Sequence, residues 1–194
     1  RRLALRTVTG QCLASGLMFG LSFPCHPDHL LSFLFHPSWA WWSLVPLLLA
    51  LRSATSSSSA FRRGWVTGSF GSLICLYWIG NTQGGGPAVV AGAGLGAVYL
   101  GLFTGLFAIA QYRSMRAGGD RALLLAPVLY TAMEYLLSVG ELGFPWLLLG
   151  HSQAGFPVLI QMASLTGVYG IGFAIVTVNA CLTLATVDAS RRMG

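Results

Sequence analysis

Apolar residues run in six long blocks rather than recurring on one helical face or alternating along strands. The blocks cover 7–23, 30–51, 64–80, 88–110, 122–139 and 157–187, the second interrupted by His36-Pro37. About 20 apolar residues at ~1.5 Å each match a hydrocarbon core about 30 Å thick. Open strands leave backbone groups unpaired in lipid, so the blocks predict helices. The last block is too long, because 31 residues would reach about 46 Å. A first part lying at the surface, with the true span 166–187 opening near Gly167 or Gly170, is preferred to one strongly tilted helix. The expected fold is an all-α membrane protein of about six transmembrane helices with short loops.

Composition changes the surroundings rather than the element count. Hydrophobic residues make up 55% of the 194, charged residues only 8%, and mean hydropathy is +0.70. A soluble domain carries roughly 25% charged residues, so the solvent for most of this surface is lipid. The net charge is +6, yet no lysine occurs and the eleven arginines are scattered. That pattern is not a nucleic-acid footprint. Arg1, Arg2 and Arg6 precede the first block, and Arg52, Arg62 and Arg63 flank the second loop. Arg113, Arg116 and Arg121 lie between blocks four and five, and Arg191 and Arg192 follow the sixth. Six crossings put all eleven on one side, which the positive-inside rule makes cytoplasmic, together with the N-terminus. A basic start before an apolar run is similar to a signal peptide, but no A-x-A-like site follows, so a retained first helix is expected. The absence of an initial methionine suggests a trimmed N-terminus.

The external side then holds 24–37, 81–87 and 140–156, with all four histidines, Glu141, and Trp39, Trp41, Trp42, Tyr77, Trp78 and Trp146 close by. Interface belts account for many such aromatics. Cys25, His26, Asp28, His29 and His36 are metal-ligand types, but HPDH is not a zinc spacing, and no metal is expected. The cysteines, Cys12, Cys25, Cys75 and Cys181, show no CxxC pattern and no disulfide is expected. Gly16/Gly20, Gly64/Gly68, Gly92/Gly96 and Gly101/Gly105 are GxxxG pairs suited to close helix packing. GAGLGA at 92–97 fits a dinucleotide pattern only in form, since no soluble strand precedes it. Gln83 lies in a flexible NTQGGGP turn, and Gln153 and Gln161 are the other amides of this side. Glu134 is the one carboxylate inside a block, where charge calls for a cavity or a partner. No GxSxG, HExxH or P-loop occurs.

The stretch from Met133, with Glu134, Gly143-Phe144-Pro145-Trp146, Leu149-Gly150, Ser152-Gln153, Gly167-Val168-Tyr169-Gly170 and Asn179, resembles the membrane domain of bacterial apolipoprotein N-acyltransferases. LYWIGNTQGGGP at 76–87 and YLGLFTGLFA at 99–108 resemble that family's third and fourth helices. Two positions depart from it. Leu136, Leu137 and Ser138 stand where family members carry an arginine, and His151 stands for a tyrosine.

The resemblance implies a transferase that moves an acyl chain from a phospholipid donor to the α-amino group of a diacylglyceryl-cysteine lipoprotein acceptor. It implies the bacterial inner membrane, no cofactor, and a thioester route run by Glu, Lys and Cys in a nitrilase-like domain. That catalytic set is absent from this lysine-free sequence, and Cys181 lies in a block near the cytoplasmic side. The chain is therefore expected to be a fragment, a membrane domain or a split subunit, inactive alone. Its catalytic domain would follow in cis or sit on a separate chain. Glu134, Phe144, Pro145, Trp146, Gln153 and Tyr169 are the candidates for shaping a lipid-accessible cavity. A small non-catalytic transporter or scaffold is the alternative.

Overall fold

The computed structural model describes residues 2–24, 31–82 and 86–193, and within these every regular element is helical. Among the described residues there are seven α-helices: α1 (Arg2–Leu21), α2 (Val45–Arg52), α3 (Ser57–Cys75), α4 (Gly86–Gly118), α5 (Ala126–Ser138), α6 (Pro157–Ile160) and α7 (Ala163–Met193). Short 3₁₀ turns join several of them. Cys25, His26, Asp28, His29 and Gln83 lie outside the described residues.

The expected count of six spans is not what helix length and composition return. Among the described residues, two helical stretches are long and apolar enough to cross a membrane, Gly86–Ser138 and Ala163–Arg192. A third arises if Ser32–Trp41 and Val45–Arg52, bent by 54°, are one broken span. The physical reasons are local. Block 30–51 is not one helix, because Pro37 sets a fresh 3₁₀ turn whose Ser38 amide is capped by the His36 side chain. In α3, Ser57, Ser58, Ser59, Arg62 and Arg63 dilute the apolar content.

The 53-residue stretch Gly86–Ser138 is a hairpin. Gly119 turns the chain at φ +66°, a value few other residues adopt. The limbs then run antiparallel. The Gln111 amide donates to the Ala122 carbonyl at 3.0 Å, the rings of Phe107 and Tyr130 meet edge to face, and the Tyr99 hydroxyl donates to the Leu142 carbonyl.

α1 and α3 run parallel. The Thr67 hydroxyl donates to the Cys12 carbonyl, Gly16 faces Thr67 and Gly71, and Gly20 faces Ile74. A Cβ on Gly64 would stand 2.4 Å from the Thr104 carbonyl oxygen, so α3 and α4 meet backbone to backbone. Three of the four glycine pairs pack this way. Gly92/Gly96 does not, because Gly92 faces open space and Gly96 only grazes Leu76.

The short α2 lies at the centre, with Leu47, Leu48 and Leu51 fully buried against Phe107, Leu123 and Ile175. A smaller cluster of Phe23, Leu76, Leu100, Leu137 and Leu147 lies beyond it. The outside is apolar too, with Leu95, Leu106, Val128 and Leu136 exposed. α7 breaks at Gly167 (φ +65°, ψ −177°), one of the two glycines at which the sequence divides that block. Before the break, Val158 and Leu165 are 84% and 90% exposed.

The bundle has two chemically distinct ends. At one, Asp120 accepts from Arg52 and Arg191, and Arg63 donates to the Ala50 carbonyl and to Ser53. At the other, the 140–156 loop packs on the ends of α3, α4 and α5.

Candidate functional site

The loop end is built on the last turns of α5. Val139 leaves the helix in an extended conformation, and Gly140 turns the chain at φ +85°. The Phe144 amide then returns to the Leu137 carbonyl at 2.8 Å. Pro145 opens a 3₁₀ turn, Pro145–Leu147, where its missing N–H is no loss. Phe144 and Trp146 lie in ring contact, and Trp146 stacks on Trp78 at 6.0 Å. Trp146 itself is 61% exposed.

Beside these rings lies an open groove of about 490 Å³ between the end of α3 and the first turns of α4. Leu76, Ile79, Val89, Tyr99, Leu142 and Phe144 line it. A volume within the roughly 300–1,000 Å³ of ligand clefts, and walls this apolar, suit an alkyl chain.

Glu134 lies deeper and is 1% exposed. One carboxylate oxygen accepts from the Leu149 backbone amide, pinning the loop onto α5. The other has no partner among the described residues and points toward Gly172, where a Cβ would stand 3.0 Å away. Glycine at 172 is thus what lets α7 come this close. A cavity of about 30 Å³ adjoins the carboxylate, with Thr67, Ser72, Thr104 and Tyr130 in its wall. A water needs at least about 10–15 Å³ and polar partners, so the cavity has room for one.

Gln153 is fully buried elsewhere. Its amide donates to the Pro37 carbonyl and the Ser152 hydroxyl, and its oxygen accepts from Trp41 Nε1 at 3.3 Å. Tyr169 and Ser138 share a 2.6 Å hydroxyl contact, which ties α7 just below its break to the end of α5. The six candidate residues therefore do not line one cavity. Phe144 lines the open groove and touches Trp146 ring to ring, Glu134 lines the small inner cavity, and Gln153 and Tyr169 fasten the loop and α7.

Asn179 holds a position that the candidate set missed. Fully buried, its side chain accepts from the Leu44 amide and donates to the carbonyls of Ala40 and Ile175. A lone amide in the expected span 166–187 was the available signal, since such a group must find partners inside the protein.

An all-helical domain with an apolar exterior and an apolar groove lined in part by Tyr99 and Phe144 is the class that fold and site define. Residues 15–181 match the sequence profile of the apolipoprotein N-acyltransferase N-terminal domain. The chain belongs to that family. It is 34% identical over 178 residues to an apolipoprotein N-acyltransferase of Chlorobaculum tepidum, covering 91% of this chain and 31% of the relative. The corresponding enzyme of Geobacter metallireducens is 36% identical over 176 residues, with 87% and 31% covered. Apolipoprotein N-acyltransferase 1 of Treponema denticola is 30% identical over 165 residues. The chain spans about a third of the length of these curated relatives.

Proposed function

We propose that this chain is the membrane-embedded part of an apolipoprotein N-acyltransferase, anchoring the catalytic domain and offering lipid a way in. The observation that carries the reading is the open apolar groove beside Phe144, Trp146 and Trp78. Its walls would accept an acyl chain of the phospholipid donor or of the diacylglyceryl acceptor. The donor's ester to be cleaved, or the acceptor's amine to be acylated, would then stay at the mouth of the groove, under a nitrilase-like domain supplied in cis or by another chain. On this reading the chain carries no catalytic residue and is inactive by itself. Glu134 and Tyr169 act by holding the loop and α7 in place, Pro145 by setting the turn that presents Trp146, and Gln153 by fixing the loop to the 37–41 turn.

The same reading has six crossings, 7–23, 30–51, 64–80, 88–110, 122–139 and 166–187, with the arginines in the cytoplasm and the GFPW loop outside. The inner membrane of a bacterium is the compartment. The gathering of Arg52, Arg63 and Arg191 at the end opposite Trp146 supports this sidedness. The α4–α5 hairpin supports two crossings where composition alone counts one stretch.

The test is acyl transfer by the full-length protein carrying Trp146→Ala. With folding unchanged, transfer to a diacylglyceryl-peptide should fall about ten-fold or more, as expected for an exposed aromatic anchor. Full activity would remove Trp146 from the proposal.

A further inference from the structure

We propose that a cleft between α1 and α3, at the arginine end, binds the phosphate of an anionic phospholipid headgroup. The proposal rests on the reading of these helices as membrane-crossing. The cleft has a volume of about 250 Å³ and lies far from the Trp146 groove along the bundle. Val8, Thr9 and Cys12 of α1 and Ser59, Arg62, Arg63 and Val66 of α3 line it.

The two arginines differ in what they can offer. Arg63 is committed: it donates to the Ala50 carbonyl and to the Ser53 hydroxyl and carbonyl, fixing the α2–α3 turn. Arg62, one position earlier, is exposed and has no hydrogen-bond or ion-pair partner among the described residues. A guanidinium presents paired donors that match a phosphate, and among the described residues no carboxylate lines the cleft to compete. Asp120, the carboxylate of this end with described ion pairs, is taken by Arg52 and Arg191.

Two further features select an anion attached to a lipid. α3 directs its N-terminal, positive end this way, with Ser59 in its first turn, while α1 lines the cleft from about its second turn on. Val8 and Val66 add apolar walls that a free phosphate does not need and an acyl chain does. The volume is below the roughly 300–1,000 Å³ of clefts for drug-sized molecules, which disfavours a nucleotide. Basic pockets between transmembrane helices on the arginine-rich side are where anionic headgroups bind.

Native mass spectrometry of the full-length protein, titrated with phosphatidylglycerol, phosphatidylcholine or inorganic phosphate, tests this. Phosphatidylglycerol should be retained in preference to phosphatidylcholine. Arg62→Gln should weaken it about ten-fold, the worth of one charge-assisted phosphate contact. Ser59→Trp, which fills the cleft at unchanged charge, should do the same. Arg192→Gln, an equal loss of charge on the exposed end of α7, should change it less than two-fold. Equal losses for Arg62→Gln and Arg192→Gln would overturn the site in favour of a general field. So would undiminished retention in both cleft variants, or displacement of the lipid by millimolar inorganic phosphate. Alkaline carbonate extraction of the unaltered protein separates the premises. Release from membranes would sink the membrane reading itself, whereas a carbonate-resistant protein with no cleft effect sinks the headgroup site alone.

Discussion

At the arginine end, three elements distant in sequence are clasped by charge. Arg52 at the end of α2 and Arg191 at the end of α7 both reach Asp120 in the α4–α5 turn. At the loop end no ion pair occurs among the described residues. Contacts there are buried hydrogen bonds, such as Leu149 to Glu134 and Trp41 to Gln153, and stacked rings. The difference teaches where each kind of force holds. Charged clasps tolerate water but are individually weak and are screened by salt. A buried amide or carboxylate holds a loop firmly only while every partner is present, because an orphaned group is costly. The end that carries the groove is therefore fixed by geometry, and the opposite end is tunable by the medium.

The sharpest way to break this contrast lies in the buried middle. Asn179→Leu strands the Leu44 amide, at up to about 3 kcal/mol, while the Ala40 carbonyl keeps the Ser43 hydroxyl. Thermal unfolding in detergent should show a loss of about 3 kcal/mol, independent of salt. Glu134→Leu should cost about 1–3 kcal/mol by freeing the Leu149 amide, again without salt dependence, while Glu134→Gln retains an acceptor and most of the stability. A strong salt dependence in either would put the loop end under electrostatic control.

The arginine end should respond less and differently. Asp120→Asn is expected to cost below about 1 kcal/mol, and the loss should shrink further in 0.5 M salt, where the Debye length is roughly 4 Å. The hydrogen bonds from Arg52, opposed by partial burial and aided by the charges of Arg52 and Arg191, hold the Asp120 carboxyl below the usual carboxylate range. A carboxyl depressed on folding adds stability that is full above its unfolded value near ~3.9 and fades as pH falls through the folded value. Stability measured from pH 6 down to pH 3 should therefore fall, and the Asp120→Asn variant should show a flatter acid limb. Identical limbs would show that the clasp contributes nothing.

Hydropathy made the helical class and the membrane character legible, because block length and apolar content are transfer properties. It did not make helix geometry legible. Residues 31–44 read as half a span, yet His36, Pro37 and the backbone bond from the His36 amide to the Leu21 carbonyl fold them into turns. Gly92 and Gly96 have the spacing of a packing pair, but spacing cannot say whether a neighbour is there. Within the candidate site, GFPW was legible as a boundary through Pro145. That Glu134 and Gln153 face different partners was not, since each is fixed by residues distant in sequence, Glu134 by the Leu149 amide and Gln153 by Trp41 and Pro37.

The α4–α5 hairpin behaves as a ruler. Its rungs, Gln111 with Ala122, Phe107 with Tyr130 and Tyr99 with Leu142, are all counted from the bend at Gly119. One residue inserted below Tyr130 would turn everything beyond it by about 100°. Glu134 would swing off Leu149, and the aromatic rings would be dialled away from the groove without any of its residues being changed. The distance from a bend at one end thus sets the phase of the surface at the other.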